Sequence, residues 1–257
     1  MKFIFLIYLA LALLLYATQD SFIFYPAALS SQQRQAVQGE SEFKLEVTDA
    51  VLKGWLIPAQ EESDTKQVIL YFGGNGEEVS YNIPYFRRAF HSSFLLVNYR
   101  GYGDSSGKPS EKNMFADALR IYDEIANRLP DHNIVVIGRS VGSGVATYLA
   151  SQRPCHKLAL VTPFDSMQSV AQSQFPIFPM SILLKHKFRS DSYVKELSAP
   201  TLVIGASEDN IIPRKHTEKL ISCFATPPQQ VWIEGADHNS ISMYRSYWQP
   251  LADFINN

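Results

Sequence analysis

The chain places one serine between two glycines, Gly138-Arg139-Ser140-Val141-Gly142, where a β-branched apolar run gives way to a helical pattern. A serine hydroxyl attacks a carbonyl carbon when a sharp turn holds it out and a neighbouring base takes its proton. Residues 133–137, Asn-Ile-Val-Val-Ile, read as a strand buried on both faces. Residues 141–152 carry Val145, Ala146, Leu149 and Ala150 at helical spacing, which puts Ser140 on the turn between strand and helix. So tight a turn strains the backbone at the serine, and only hydrogen side chains at Gly138 and Gly142 let strand and helix approach. The helix start also aims free N–H groups and a positive dipole end at any oxyanion forming beside the hydroxyl. The bland alternative is a glycine-rich turn whose serine is merely solvated.

The chemistry needs a histidine to accept the serine proton and a carboxylate to fix the tautomer of that histidine. On hydrolytic parallel sheets the order along the chain is serine, acid, histidine. Residues 201–205, Thr-Leu-Val-Ile-Gly, read as a buried strand, and its exit loop holds Asp209. Open parallel sheets bind ligands at that carboxyl end. Residues 230–233 read as a further strand, followed by Glu234-Gly235-Ala236-Asp237-His238 and a terminal helix, so His238 is expected at the same edge. Glu208 and Asp237 adjoin the candidates and remain rival acids. Asp209 is preferred because it is shorter than Glu208 and comes from a separate loop able to face the imidazole. His216 falls at an expected helix start, on a solvated face. His91, His132, His156 and His186 sit beside strand starts or in charged segments.

Two backbone N–H groups commonly hold the charge of a tetrahedral intermediate. One expected donor is Val141, next to the nucleophile. The other is Asn75, with Gly74 as the fallback, on the loop Gly73-Gly74-Asn75-Gly76 after the strand 67–72. A strand, a glycine-rich turn and a helix also bind dinucleotides. Here Val79 stands where that fingerprint wants its third glycine, and the next strand, 93–98, ends without an acid.

With these residues in place the chain resembles the α/β-hydrolase superfamily of serine hydrolases. Within it, the chain is similar to the membrane-associated single-domain group of lysophospholipid lipases, protein depalmitoylases and uncharacterised bacterial relatives. The resemblance rests on Phe22-Ile23-Phe24-Tyr25-Pro26, Gly74-Asn75-Gly76-Glu77, Asn98-Tyr99-Arg100-Gly101-Tyr102-Gly103, the glycine-flanked serine, Pro163-Phe164-Asp165-Ser166, the Asp209 loop and His238-Asn239. It implies Ser140, Asp209 and His238 as a triad, and an α/β fold with a mostly parallel sheet of about eight strands and helices on both faces. Gly73 departs from the histidine that many relatives carry there.

The elements that must position these groups follow. Residues 98–110 form a glycine-rich loop read as a structural turn, leading to a helix over 112–128 with Phe115, Ala118, Leu119, Tyr122 and Ile125 on one stripe. Residues 165–198 break the strand-helix alternation, with Phe175-Pro176-Ile177-Phe178-Pro179-Met180 at their centre. They are expected either as a crossover packed on the sheet or as a small lid whose Phe175, Ile177, Phe178 and Met180 face an acyl chain; Gly74, Phe175 and Phe178 are the candidate substrate contacts. Residues 1–20 hold an uncharged apolar run, 3–17, read as an uncleaved membrane anchor rather than a removed signal because Leu15 occupies a position where cleavage wants a small side chain. Lys2 is the only charge ahead of the run, which puts the catalytic domain on the non-cytoplasmic side; the alternative is a secreted or periplasmic protein after cleavage.

The 257 residues fit one hydrolase domain over 21–257, and a net charge of -2 without a basic run argues against nucleic acid. Cys155 and Cys223 read as free or buried thiols, and neither a metal nor another cofactor is expected. The expected activity is acyl transfer from an ester or thioester to water, on lipid-like or acylated small-molecule substrates. A peptidase or amidase, and a non-catalytic scaffold on the same fold, are the other readings.

Overall fold

The computed structural model describes residues 2–59 and 66–257. Met1, counted in the expected anchor, and residues 60–65, within the expected hydrolase domain, lie outside the described residues. The chain opens with helix α1 (Lys2–Ile23) and a short α2 (Ser31–Ala36), then the strands β1 (Glu42–Val47), β2 (Ala50–Ile57) and β3 (Gln67–Phe72). Next come α3 (Ile83–Ala89), β4 (Ser93–Val97), α4 (Glu111–Arg128), β5 (Asn133–Arg139), α5 (Val141–Gln152) and β6 (Lys157–Val161). A cap of three short helices, α6 (Met167–Gln174), α7 (Met180–Leu183) and α8 (Ser190–Tyr193), precedes β7 (Thr201–Ala206), α9 (Arg214–Ser222), β8 (Gln229–Ile233) and α10 (Arg245–Asn256).

The eight strands form one sheet in the order β1-β2-β4-β3-β5-β6-β7-β8. β1 and β2 make an antiparallel hairpin, β2 runs antiparallel to β4, and every other pair is parallel. Strands β3 and β7 are buried at every position, as parallel strands covered on both faces must be, which is why they read as unbroken apolar runs. One core lies between the sheet and α4, α5 and α9, with Phe115, Ile125, Leu149 and Leu220 in it; the other lies under α3 and α10, with Phe86, Leu251 and Ile255. The chain leaves β3 toward β4 and returns to the other side of β3 as β5, so the strand order reverses between β3 and β5. The carboxyl ends of strands flanking such a reversal open a crevice. Both the 73–76 loop and Ser140 leave the sheet there.

One element differs from expectation. α1 does not end with the apolar run but continues through Thr18, Gln19 and Asp20 to Ile23. The hydroxyls of Thr18 and Ser21 donate to the carbonyls of Leu14 and Thr18 at 2.8 and 2.7 Å, so the polar residues are satisfied within the helix itself. In the stretch before β1, Ser30 caps α2 by accepting from the Gln33 N–H at 3.1 Å.

Candidate active site

Ser140 stands between β5 and α5 with φ 52° and ψ -120°, a region that side-chain-bearing residues rarely occupy. The glycines around it are required by space. A Cβ at Gly142 would lie 2.1 Å from the carbonyl oxygen of Phe72, and one at Gly138 would lie 2.4 Å from that of Gly142. The serine is held by its own N–H donating to Val161 O at 2.9 Å and by Ser143, whose hydroxyl donates to Ser140 O at 2.6 Å. Strand, turn and helix thus fix the backbone while Oγ stays on the cavity side.

His238 follows β8 and Asp209 follows β7, so the parallel pairing of these strands carries both loops to the edge where Ser140 lies. Nε2 of His238 is 2.8 Å from Ser140 Oγ, and Nδ1 is 2.7 Å from Asp209 Oδ2. The other oxygen of Asp209 accepts from the N–H groups of Ile211 and Ile212 at 2.9 and 2.7 Å, which fixes the carboxylate against rotation. An ionised Asp209 keeps the ring proton on Nδ1 and leaves the Nε2 lone pair facing the hydroxyl. Glu208 is exposed, and Asp237 spends Oδ1 accepting from Asn239 and Ser240 N–H at 2.8 Å each; neither hydrogen-bonds the imidazole among the described residues.

The N–H groups of Asn75 and Val141 make no hydrogen bond among the described residues, and both residues line the cavity beside Ser140. The fallback donor, Gly74, is committed: its N–H donates to Glu77 Oε2 at 2.7 Å. The same carboxylate at the turn opposes a bound pyrophosphate, which removes the dinucleotide reading. Glu77 also accepts from Tyr71 OH at 2.7 Å and from Arg139 Nη1 at 3.3 Å, and Arg139 Nη2 reaches His238 O at 3.3 Å. Burial works against the charge of Arg139, yet Tyr71 and Glu77 beside it outweigh that and raise its pKa above the ordinary value. The 98–110 loop completes the support. Tyr99 OH donates to Gly73 O at 2.9 Å, and Tyr102 OH donates to Asn75 Oδ1 at 2.8 Å. The loop is itself pinned by the buried, two-pronged Arg100–Asp117 pair at 2.7 and 2.8 Å.

The sequence pattern that defines the alpha/beta hydrolase fold matches residues 68–183, from β3 through Ser140 into the cap. A mouse protein, alpha/beta hydrolase domain-containing protein 17C, is 31% identical over 195 residues, which is 75% of this chain and 56% of the mouse protein. The chain has the α/β-hydrolase fold. An uncharacterized protein of Mycobacterium tuberculosis is 29% identical over 230 residues, 88% of this chain and 82% of that one. Among solved structures, an esterase of Pyrococcus furiosus gives a TM-score of 0.69 at 14% identity, covering 91% of this chain and 96% of the esterase. A soluble variant of monoglyceride lipase from Saccharomyces cerevisiae, in complex with a substrate analog, gives 0.63 at 14% identity, covering 83% and 92%. At these identities the likeness is one of fold.

In this α/β-hydrolase fold the crevice is a cavity of about 650 Å³ walled mostly by apolar side chains. The cap supplies Met167, Val170, Phe175 and Met180 to it, and α1 supplies Leu15, Gln19 and Phe22. Sequence reasoning gave the cap two readings, and the structure divides it between them. Phe188 and Val194 pack into the main core as a crossover, whereas Phe175, Met180 and Leu184 face the cavity. Phe178 is a correction: it turns away from the cavity and stacks on Tyr8 of α1 with ring centres 5.2 Å apart. Ile177 is also corrected, being 71% exposed and outside the cavity wall.

His216 is likewise corrected from solvated to buried. α9 turns His216, Thr217 and Leu220 inward, and Nδ1 of His216 sits 2.7 Å from Asp165 Oδ1 while Nε2 sits 3.0 Å from Ser173 Oγ. Ser173 lies inside α6 with its hydroxyl also on Ser169 O at 3.1 Å, away from any strained turn. This second array ties the cap to α9. Cys155 and Cys223 are free, and burial pushes the Cys155 thiol up to about 11. Among the described residues no three His, Cys, Asp or Glu side chains gather as a metal site.

Proposed function

We propose that this α/β-hydrolase cleaves carboxylic ester or thioester bonds of lipid-like or acylated substrates through an acyl-enzyme on Ser140. The observation that carries the reading is the 2.8 Å approach of His238 Nε2 to the Oγ of a serine held at positive φ, with Asp209 behind the imidazole. Nε2 takes the hydroxyl proton as Oγ attacks the carbonyl carbon, and Asp209 stabilises the imidazolium. The N–H groups of Asn75 and Val141 receive the oxyanion. His238 then returns the proton to the leaving alcohol or thiol, and water repeats the sequence in reverse, releasing the acid and restoring Oγ–H.

The apolar wall supports an acyl chain as the group beside Ser140. α1 supports attachment to a membrane: residues 3–17 carry no charge, and its face with Leu13 and Leu14 is apolar and exposed. Lys2 ahead of it supports a catalytic domain on the non-cytoplasmic side.

Pre-steady-state hydrolysis of a p-nitrophenyl ester tests the mechanism. The expected result is a burst of about one p-nitrophenol per enzyme before the slower steady rate. Release without covalent acylation of Ser140, or cleavage of amides in preference to esters, contradicts the proposal; no turnover of any acyl substrate returns the chain to a scaffold.

A further inference from the structure

α1 is apolar nearly all round, yet one stripe of it is committed to the protein. Tyr8, Ala12, Leu15, Gln19 and Ile23 recur every three or four residues on one face. Tyr8 stacks on Phe178 and donates its hydroxyl to Ile177 O at 3.0 Å. Gln19, only 7% exposed, donates to Leu183 O at 3.0 Å and accepts from the Lys185 N–H at 2.7 Å. The opposite face, with Leu13 at 68% and Leu14 at 57% exposure, has no partner among the described residues. Leu15, Gln19, Phe22 and Ile23 are part of the cavity wall itself. Just beyond the helix, the Tyr25 N–H donates to Asn75 Oδ1 at 2.8 Å, so this end of α1 adjoins the loop beside Ser140. Leu15 lies eight residues back from Ile23, about 12 Å along the axis, and is the wall residue of α1 farthest from that end. Phe22, Phe175 and Ile211 line the cavity while remaining exposed, giving it an apolar rim continuous with the free face of α1.

We propose that the membrane helix is also the chain-length gauge of the active site. The acyl chain of a bilayer-resident ester enters over the Phe22 rim and lies along α1, its carbonyl at Ser140 and its methyl end directed toward Leu15. Removal of residues 1–20 would delete Leu15 and Gln19 from this wall, so the segment stays attached in the active enzyme. The inference rests on the serine-hydrolase reading.

The test uses the full chain in detergent micelles, with p-nitrophenyl esters from acetate to palmitate and fluorophosphonate labelling as a separate readout of the activated serine. Leu15→Trp shortens the cavity, and each methylene kept out of an apolar site costs about fourfold. The ratio of laurate to acetate kcat/KM is therefore expected to fall more than tenfold. Leu15→Ala lengthens the cavity and moves the optimum to longer chains, an outcome that misfolding does not imitate. Leu13→Trp, equal in bulk on the lipid side, keeps the parent ratio. Identical profiles for the Leu15 and Leu13 variants, with labelling intact, overturn the gauge and leave the hydrolase reading standing. A parent that neither labels nor turns over any ester removes both.

Discussion

The phenol of Tyr102 donates a 2.8 Å hydrogen bond to the side-chain oxygen of Asn75, a residue of the cavity wall beside Ser140 whose backbone N–H has no partner among the described residues. Asn75 thus uses its side chain to fix the direction of its main chain. Burial of Tyr102 pushes its hydroxyl up to about 12, so it remains a donor throughout the working range.

Tyr102→Phe removes that donor while keeping the ring. Misplacing one oxyanion donor by a fraction of an ångström costs on the order of tenfold in kcat, less than the hundredfold or more for losing it. Steady-state kinetics on a short ester are expected to show kcat reduced about tenfold with KM changed by less than about threefold. A change confined to KM would contradict a positioning role.

The acid can be assigned by substitution. Asp209→Asn leaves the geometry but favours the wrong imidazole tautomer, and about four orders of magnitude in kcat are expected to go with it. Glu208→Gln and Asp237→Asn, whose carboxylates do not meet His238, are expected to stay within about threefold of the parent. Matched assays of the three variants on one ester decide between them.

Gly142→Ala tests the close approach of α5 to β3. Its Cβ would sit 2.1 Å from Phe72 O and 2.5 Å from Gly73 O, both backbone atoms that cannot yield cheaply. Urea denaturation is expected to show a loss of at least about 3 kcal/mol, or no soluble protein.

Asp165, beneath the cap, links protonation to stability. Burial raises its pKa, but the hydrogen bonds from Lys219 at 2.6 Å and His216 at 2.7 Å outweigh burial and hold it below the ordinary value of 3.8. A carboxylate depressed in the fold contributes stability fully above its unfolded value and loses it as pH falls through the lower, folded one. Asp165→Asn is therefore expected to melt several degrees below the parent at pH 7. The two melting temperatures should converge as pH falls below about 4. A constant gap down to pH 3 would contradict the linkage.

The parallel strands were legible because burial on both faces writes them as short apolar runs, and with them the edge where Ser140, Asp209 and His238 meet. The β1–β2 hairpin was not, since its strands mix buried and exposed positions at one side of the sheet. The bonds of Tyr99 and Tyr102 to the 73–76 loop cross 26 and 27 residues, beyond what a local pattern carries. His216 misled because a helix start was judged by its charged neighbours, whereas the cap above it decides its burial. The packed stripe of α1 left no contrast, because in so apolar a helix an exposed leucine and a cavity-facing one look alike. Gln19 is one of four polar residues, Thr18 to Ser21, at the end of that helix, and only its burial in the fold sets it apart.

The most direct test of the account is fluorophosphonate labelling of the full-length protein, followed by peptide mass spectrometry, beside a Ser140→Ala variant shown by circular dichroism to be folded. A single adduct is expected on the peptide containing Ser140, and none in the variant. An adduct on Ser173, equal labelling of the variant, or an unlabelled parent with an open cavity would contradict the central claim that Ser140 is the activated nucleophile.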